Sequence, residues 1–487
     1  MQNDVTIGQF LELGSMPPRT WIAKSLGEAG LIFLLCVSVL APSVTLNSNW
    51  PQVRTETLLL IIYGVLYGGL LLVGLSKPLR FHAFYVIGIL FSISVSFSLA
   101  FGTLVLHHPL SYRDYFELPK CWLPVLFFTF AYEAELTERG LNRVLNFFAL
   151  AITLVCLFGW AQFLNLGLAA RLTPYYTDMG HNYVGLLRYG RVFSTVGNPN
   201  GLGQLMSWCL CVYLLAFLFG VGSRLRNLGV STLCVITVAL TSSRYGLLAC
   251  GAALLVAMGL SLSARRRGMK LIGLLAVLAI LIPVFGNAQR SSYWASHRFE
   301  QLKNPLRVDS LRGRLDVLWI EAGDYVLSSP WVGHGPAKTI FGEIYTDSEY
   351  LDILKYYGIV GFLCYLAYYF WPLWDMLKAV RRMPFLSHEL EERLGANLLV
   401  LRAGFAIFLL ALFMNIGEFT FYNAVLLGFL WMWAGLAVRA AHFVTEAEAQ
   451  VRISDLLTEP HFGSLPSFGK RLQLPRADFP PLSGEAN

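Results

Sequence analysis

The chain has 487 residues, of which 56% are hydrophobic and only 14% are charged, and its formal net charge is +7. This balance excludes a water-soluble fold of such length and predicts an all-α polytopic membrane protein. The cysteines lie in apolar stretches and form no CxxC pair, so neither a disulfide framework nor a zinc site is expected. The modest positive charge fits a positive-inside bias, and no nucleic-acid partner is expected.

Apolar runs long enough to cross a bilayer predict about twelve transmembrane helices. They lie near residues 29–46, 57–75, 83–106, 118–132, 141–166, 199–220, 228–241, 245–262, 269–285, 357–377, 394–416 and 419–441. Lysine and arginine concentrate in the loops that follow the even-numbered spans. Those loops, and with them both termini, are therefore predicted to be cytoplasmic.

The predicted organisation has three parts along the chain. A cytoplasmic N-terminal segment covers 1–28, a transmembrane domain covers 29–441, and a partly disordered cytoplasmic tail covers 442–487. The N-terminus has no signal-peptide pattern, so the first span is expected to be retained. Two long outer loops are predicted at about 167–198 and about 286–348; the second lies between spans 9 and 10 and is large enough to fold over the membrane.

The first of three polar helix starts on the predicted outer face follows Arg188 and Arg191. Asn198 suits the N-cap, Pro199 suits the first helical position, and Asn200 comes next. A simpler explanation is a capped membrane helix whose arginines lie at the lipid headgroups. It accounts for Asn198 and Pro199, but not for two arginines on the outer side. Two arginines beside a helix N-terminus also indicate an anion site, because both present N–H donors to a phosphate group.

The second start is Ser243-Arg244-Tyr245-Gly246, which lies between two apolar runs with almost no loop. An arginine so close to hydrocarbon is costly unless it snorkels or pairs. Snorkelling to lipid phosphate and binding a phosphate-bearing ligand use the same physics. The neighbouring motifs favour binding of a phosphate-bearing ligand by Arg244 over snorkelling.

The third start follows a basic stretch that contains Arg312 and Arg314, and then His334 between two glycines. An ion pair of either arginine with Asp316 is one explanation, and phosphate binding is the other. His334 is a candidate substrate contact or general base near the site.

The residues that open this third helix have two explanations. Thr346 and Glu349 have the spacing of a capping box, and Asp347 either caps the helix or faces the arginines and accepts a proton. A metal site that combines them with Asp352 is not expected, because residues 347 and 352 do not share a helix face. Glu418, at the outer hairpin between the last two spans, is a candidate for the wall of the same cavity.

These segments, in this order, resemble the O-antigen ligase/O-antigen polymerase superfamily. The matching features are Arg191 with Asn198-Pro-Asn200, Ser243-Arg244-Tyr-Gly246, Arg314 followed by Trp319, Gly333-His-Gly335, and Asp347-Ser-Glu-Tyr-Leu351 followed by Gly358-Ile-Val-Gly361. The motifs cover roughly residues 140–365, and the topology covers the whole chain. The match rests on their order and spacing together, because each motif is short.

The resemblance implies a dozen spans and an outer loop over a cavity in the bacterial inner membrane. It also implies transfer of a glycan from an undecaprenyl-pyrophosphate carrier, with no metal and no other cofactor. The donor pyrophosphate is expected to be held by Arg188, Arg191, Arg244, Arg312 and Arg314. Asp347 or His334 would deprotonate the acceptor hydroxyl, and the cavity wall would contain Asn198, Asn200, Glu349 and Glu418.

One departure from the family pattern bears on the reaction. Ligases of this superfamily typically carry a histidine in a His-Asn-x-Tyr-Leu motif, where this chain has Asp347. The departure favours polymerisation of a lipid-linked O-antigen or exopolysaccharide repeat over ligation to lipid A-core. A transporter or flippase of lipid-linked glycan is the alternative from another class, although its ionisable groups would be expected near the midplane. A chain-length regulator and a flippase of the same pathway are the expected protein partners.

Overall fold

The computed structural model describes residues 18–44, 53–72, 82–134, 136–177, 181–261, 313, 317–341, 346–383, 386, 388–421 and 423–458. Nearly all of these residues are helical, which confirms the predicted all-α class. The predicted span at 269–285, together with Arg312 and Arg314, lies outside the described residues.

The N-terminal half contains α1 (Pro18–Leu40), β1 (Ser43–Val44), β2 (Val53–Arg54), α2 (Thr55–Leu72), α3 (Ala83–Leu104), α4 (Tyr112–Tyr115), α5 (Glu117–Glu133), α6 (Glu138–Phe163), α7 (Gly167–Leu172), α8 (His181–Tyr189), α9 (Pro199–Phe219), α10 (Arg224–Leu240) and α11 (Arg244–Ser261). Single 3₁₀ turns cover Thr173–Tyr175 and Ser194–Val196. The two short strands pair antiparallel, with Ser43 opposite Arg54. The C-terminal half contains α12 (Trp319–Ser328), α13 (Lys338–Phe341), α14 (Glu349–Arg382), α15 (His388–Arg393), α16 (Gly395–Met414) and α17 (Ala424–Thr458).

Seven of the described helices are long and apolar enough to cross a membrane, namely α3, α6, α9, α11, α14, α16 and α17. Shorter apolar stretches occur in α1 and α2. At two other predicted positions lie α5 and α10, each of 17 residues. The membrane class is therefore confirmed, whereas the count of twelve and the place of the long outer loop remain predictions.

Helices α9 and α17 form the centre of the bundle, since 89% of the apolar stretch of each is buried. Helix α9 packs against α10, α11 and α16, and α17 packs against α5 and α16. Trp208 of α9 stacks on Phe429 of α17 with ring centroids 5.7 Å apart, which joins the two central helices directly. The starts of α9, α11 and α14 are thus supported by a rigid apolar core.

Helix α14 begins at Glu349, close to the helix start predicted at residues 346–349 and ahead of the apolar run that begins near residue 357. Glu349, Asp352 and Lys355 lower the hydropathy of its first turns, although all three are buried. The helix is also broken at Gly358, whose φ of 63° and ψ of −169° are not helical. Two other boundaries move outward: α1 begins inside the predicted polar N-terminal segment, and α17 continues past the predicted end of its span.

Candidate functional site

The start of α9 has the predicted cap. Oδ1 of Asn198 accepts hydrogen bonds from the amides of Asn200 at 2.8 Å and Gly201 at 3.4 Å. Pro199 occupies the first helical position, where its missing N–H costs nothing. Gly197 precedes the cap with a φ of 79°, a left-handed conformation that lets the preceding turn reverse into the helix.

The start of α11 is bonded directly to the start of α9. The Ser243 hydroxyl oxygen accepts from the amide of Gly246 at 3.0 Å, and its proton is donated to Oδ1 of Asn200 at 2.8 Å. The two helices also cross closely, since a Cβ on Gly203 would lie only 2.7 Å from Cα of Gly246. Two of the three predicted anion-binding helix starts are therefore side by side.

The structure brings two of the predicted arginines to this pair of helix starts. The amide of Val192 donates to the Leu240 carbonyl at 3.3 Å, which places Arg191 beside the turn that leads to Arg244. Both arginines are half-buried, as expected for side chains that face a polar site at a membrane boundary. Arg188 lies at the end of α8 and is exposed.

The start of α14 corrects the predicted capping box. The N-cap is Ser348, so the helix begins at Glu349, too late for a box that opens at Thr346. The Thr346 hydroxyl instead binds Ser348, accepting from its amide at 3.2 Å and donating to its carbonyl at 2.8 Å. The Glu349 carboxylate accepts from the amides of Thr420 and Phe421. Glu349 is fully buried, so it anchors this helix start and does not line an open cavity.

Asp347 stands out from its neighbours in this turn. Thr346, Ser348 and Glu349 are at most 3% exposed, whereas Asp347 is half-buried. Its φ of 53° is left-handed, a conformation that costs energy in a residue other than glycine. Since Ser348 is the N-cap, the alternative that Asp347 caps the helix is not what the structure shows. The role of Asp347 as a proton acceptor stays a prediction.

The three helix starts meet at one segment, residues 415–421, which we call the outer hairpin; it lies between α16 and α17. In α14, the amide of Glu349 donates to the Asn415 carbonyl at 3.0 Å. In α11, the Tyr245 hydroxyl oxygen accepts from the amide of Gly417 at 3.1 Å. In α9, Nε2 of Gln204 donates to the Thr420 hydroxyl oxygen at 2.9 Å. Glu418, the predicted cavity residue of this segment, is 8% exposed. The outer hairpin therefore fixes the relative positions of all three starts.

His334 is held by groups on both sides of its ring. Nε2 lies 2.9 Å from the carbonyl oxygen of Tyr325, which can only accept, so Nε2 carries the proton. Nδ1 then accepts from Nε2 of His108 at 3.1 Å. Burial lowers the pKa of both histidines, and their mutual repulsion lowers that of His108 further, so both are neutral near pH 7. Both ring nitrogens of His334 are therefore engaged, and the choice of base between Asp347 and His334 stays a prediction.

His108 is a site residue that the sequence interpretation missed. Its signal is the His107-His108-Pro109 run after α3, which carries no spacing motif of its own. The structure joins it to His334, and both line a small cavity with Asp114. Only the fold brings the two histidines together, since they lie on loops far apart in the chain.

The Gly333-His334-Gly335 motif pairs with the broken part of α14. The His334 amide donates to the Lys355 carbonyl at 3.0 Å, and the Gly335 amide donates to the Tyr356 carbonyl at 2.9 Å. Gly333 has a φ of 75°, and a Cβ there would lie 2.5 Å from the amide nitrogen of Gly358. Glycine is required at such a close backbone approach. The motif thus satisfies the backbone groups that the helix break leaves unpaired.

His82, Asp375 and His442 are the candidate metal ligands among the residues that the structure describes, with ligand atoms within 4.8 Å of one another. They lie at the end of the bundle away from the outer hairpin. His82 Nδ1 accepts from the Phe84 amide at 3.1 Å, so its proton is on Nε2, which lies 3.3 Å from the Asp375 carboxylate. Because a metal-bound histidine donates from its other nitrogen, the cluster fits a hydrogen-bonded pair better than a metal site.

The fold and the site together define a polytopic helical membrane protein with a polar, arginine-bearing site where three helices begin. Residues 229–366 match the family model described as O-antigen ligase, which confirms the resemblance to the O-antigen ligase/polymerase superfamily. The matched segment includes Arg244, the Gly333–Gly335 loop, Asp347 and the broken start of α14, and it indicates ligase/polymerase-type activity. It covers less than a third of the chain. No curated protein matches the chain.

Proposed function

We propose that the protein is a polymerase that joins undecaprenyl-pyrophosphate-linked oligosaccharide repeats at the outer face of the bacterial inner membrane. The observation that carries this proposal is Asp347. Its carboxylate is the partly exposed member of an otherwise buried turn, at the position where the ligases of the superfamily hold a histidine. A carboxylate there can accept the proton of a sugar hydroxyl.

The donor pyrophosphate would lie at the joined starts of α9 and α11. Arg191 and Arg244 are half-buried there, and the positive ends of two helix dipoles add to their charge. A guanidinium binds phosphate through two parallel N–H groups and keeps its charge at any physiological pH. Arg314 would approach from the long outer loop. Together these arginines would stabilise the pyrophosphate as it leaves, without a metal ion.

The proposed step conserves atoms and charge. The acceptor sugar hydroxyl attacks the anomeric carbon of the donor, the bond from that carbon to the pyrophosphate oxygen breaks, and the hydroxyl proton passes to Asp347. The products are a glycosidic bond and undecaprenyl pyrophosphate. His334 would be the base only if its contact with His108 opened, because that contact occupies Nδ1.

The ligase is the second candidate, favoured by the family match over residues 229–366. A deletion strain separates the two. Loss of a polymerase should leave single repeat units, either on the carrier or transferred onward as one unit. Loss of a ligase should leave long polymer on the carrier and none delivered, and that result would overturn the proposal. Unprocessed repeat units confined to the cytoplasmic leaflet would indicate a flippase instead.

The base assignment is tested by Asp347→Asn, which removes the carboxylate and keeps the size of the side chain. Asparagine also tolerates the left-handed backbone of this turn. The variant should reach wild-type abundance in the membrane and yield no polymer ladder in a complemented deletion strain. A full ladder from Asp347→Asn, with none from His334→Ala at normal abundance, would move the base to His334.

A further inference from the structure

Lys355 and Asp352 form an ion pair in the outer part of α14, with Nζ 2.9 Å from Oδ1. Their side chains are 0% and 5% exposed, so water is almost excluded from the pair. The ammonium lies 5.2 Å from the centroid of the Phe341 ring and 4.6 Å from that of Tyr356. A buried pair is weak evidence for stability, because the cost of desolvating both charges offsets their attraction.

The pair lies between the Asp347 turn and the break at Gly358. At the near end, the Asp352 amide donates to the Ser348 carbonyl at 3.1 Å, and the Thr346 hydroxyl lies beside the Asp352 carboxylate. At the far end, the Lys355 carbonyl accepts the His334 amide. Side chain and backbone therefore connect the turn that carries Asp347 to the loop that covers the break.

The break makes this connection necessary. Gly358 interrupts the helix, so the membrane-spanning part of α14 does not by itself fix the rotation of residues 349–357. The left-handed backbone of Asp347 is strained, and it persists only where its surroundings hold it. Thr346 is one such holder, since its carbonyl accepts from the indole N–H of Trp319 at 2.9 Å. The Asp352 carboxylate lies beside the Thr346 hydroxyl.

We propose that the Lys355–Asp352 pair positions the Asp347 turn for proton transfer; this role rests on the proposed function. Lys355 holds the Asp352 carboxylate in place beside Thr346, and Thr346 brackets Asp347 through its two hydrogen bonds with Ser348. Neither residue of the pair touches the substrate, because both are buried. The pair therefore acts on the rate of the chemical step and not on the binding of the repeat unit.

The test compares Lys355→Met with the double variant Lys355→Met/Asp352→Leu. The single variant leaves an unpaired buried carboxylate and is expected to lower abundance. The double variant removes both charges, so it should fold and insert. With a purified lipid-linked repeat unit, its kcat should fall at least tenfold while KM stays within a factor of two. Lys378→Met, which removes a half-exposed lysine paired with Asp375 on the same helix, should change neither.

A second readout does not depend on polymerase activity. Asp347→Cys is introduced into the full-length chain, and its reaction rate with a membrane-impermeant maleimide is corrected for the chain that lacks this cysteine. The double variant should change that rate at least tenfold, because the turn is no longer held. A changed labelling rate supports positioning of the turn even if the wild type proves not to polymerise. Wild-type labelling with wild-type kcat in the double variant would overturn the inference.

Discussion

The Ser243 hydroxyl donates a hydrogen bond to Oδ1 of Asn200 at 2.8 Å and so joins the first turns of two membrane helices. Ser243 caps α11 and Asn200 lies in the first turn of α9, so the bond fixes the distance between two positive helix ends. An anion placed between them meets both dipoles at once. The pair therefore belongs to the site, although neither side chain carries a charge.

Asn200→Asp separates the structural part of this bond from its electrostatic part. The carboxylate still accepts from Ser243, so the unfolding temperature should stay close to that of the wild type. Its negative charge would repel the donor pyrophosphate, and KM should rise about tenfold, which corresponds to about 1.4 kcal/mol. Ser243→Ala should instead cost about 1 kcal/mol of stability, because it removes a helix cap. Thermal unfolding in detergent and steady-state kinetics measure the two effects; an unchanged KM in Asn200→Asp would place the donor elsewhere.

The close crossing of α9 and α11 predicts a sharp difference between two glycine substitutions. Gly203→Ala places a Cβ 2.7 Å from the Gly246 backbone, so the helices must separate, at a cost of about 1–3 kcal/mol. Gly251→Ala, in α11, meets nothing within 4 Å and should be neutral or slightly stabilising. Thermal unfolding of both variants in the same detergent provides the comparison. Equal unfolding temperatures of the two variants would contradict the close contact between Gly203 and Gly246.

Arginine-to-lysine substitutions test the shape of the phosphate contact against its charge. Lysine is a point charge and cannot bind a phosphate bidentately through two parallel N–H groups. Arg191→Lys and Arg244→Lys should therefore lose about a hundredfold in rate, the usual effect of removing an oriented donor from a transition state. Arg314→Lys is expected to behave in the same way. Arg188→Lys, at an exposed position, should keep nearly full activity. Ladders of wild-type length from Arg244→Lys would reduce that arginine to a headgroup anchor.

The His108–His334 pair predicts a loss of stability in mild acid. Burial lowers the pKa of both histidines in the folded protein below the usual value of 6.5. Below that value the unfolded chain binds more protons than the folded one, so stability falls as the pH falls, until the pH has passed the lowered folded-state pKa. The unfolding temperature should therefore drop between about pH 7 and pH 5. His334→Gln should flatten this profile, whereas His107→Asn, at an exposed neighbour, should leave it unchanged.

The parts of the site that depend on local chemistry were predictable from the sequence. Asn198 and Pro199 were placed correctly because a cap and its helix are adjacent in the chain. The role of Glu349 was not predictable, since its partners Thr420 and Phe421 lie 71 and 72 residues away. The burial of the first turns of α14 was not predictable either. Hydropathy counts a charged residue as exposed, whereas Asp352 and Lys355 are buried as an ion pair.

The position of the outer hairpin determines when the site is completed during synthesis. The helices α9 and α11 are made long before α16 and α17, between which the outer hairpin lies. Gln204 and Tyr245 therefore enter the membrane before the hairpin groups that bind them exist. A nascent chain that ends before α16 already carries Arg191, Arg244 and Asp347, and α9 is already bonded to α11, yet the segment that binds all three helix starts is missing. If the protein acts as proposed, transfer activity is therefore expected only after the last pair of helices has been inserted.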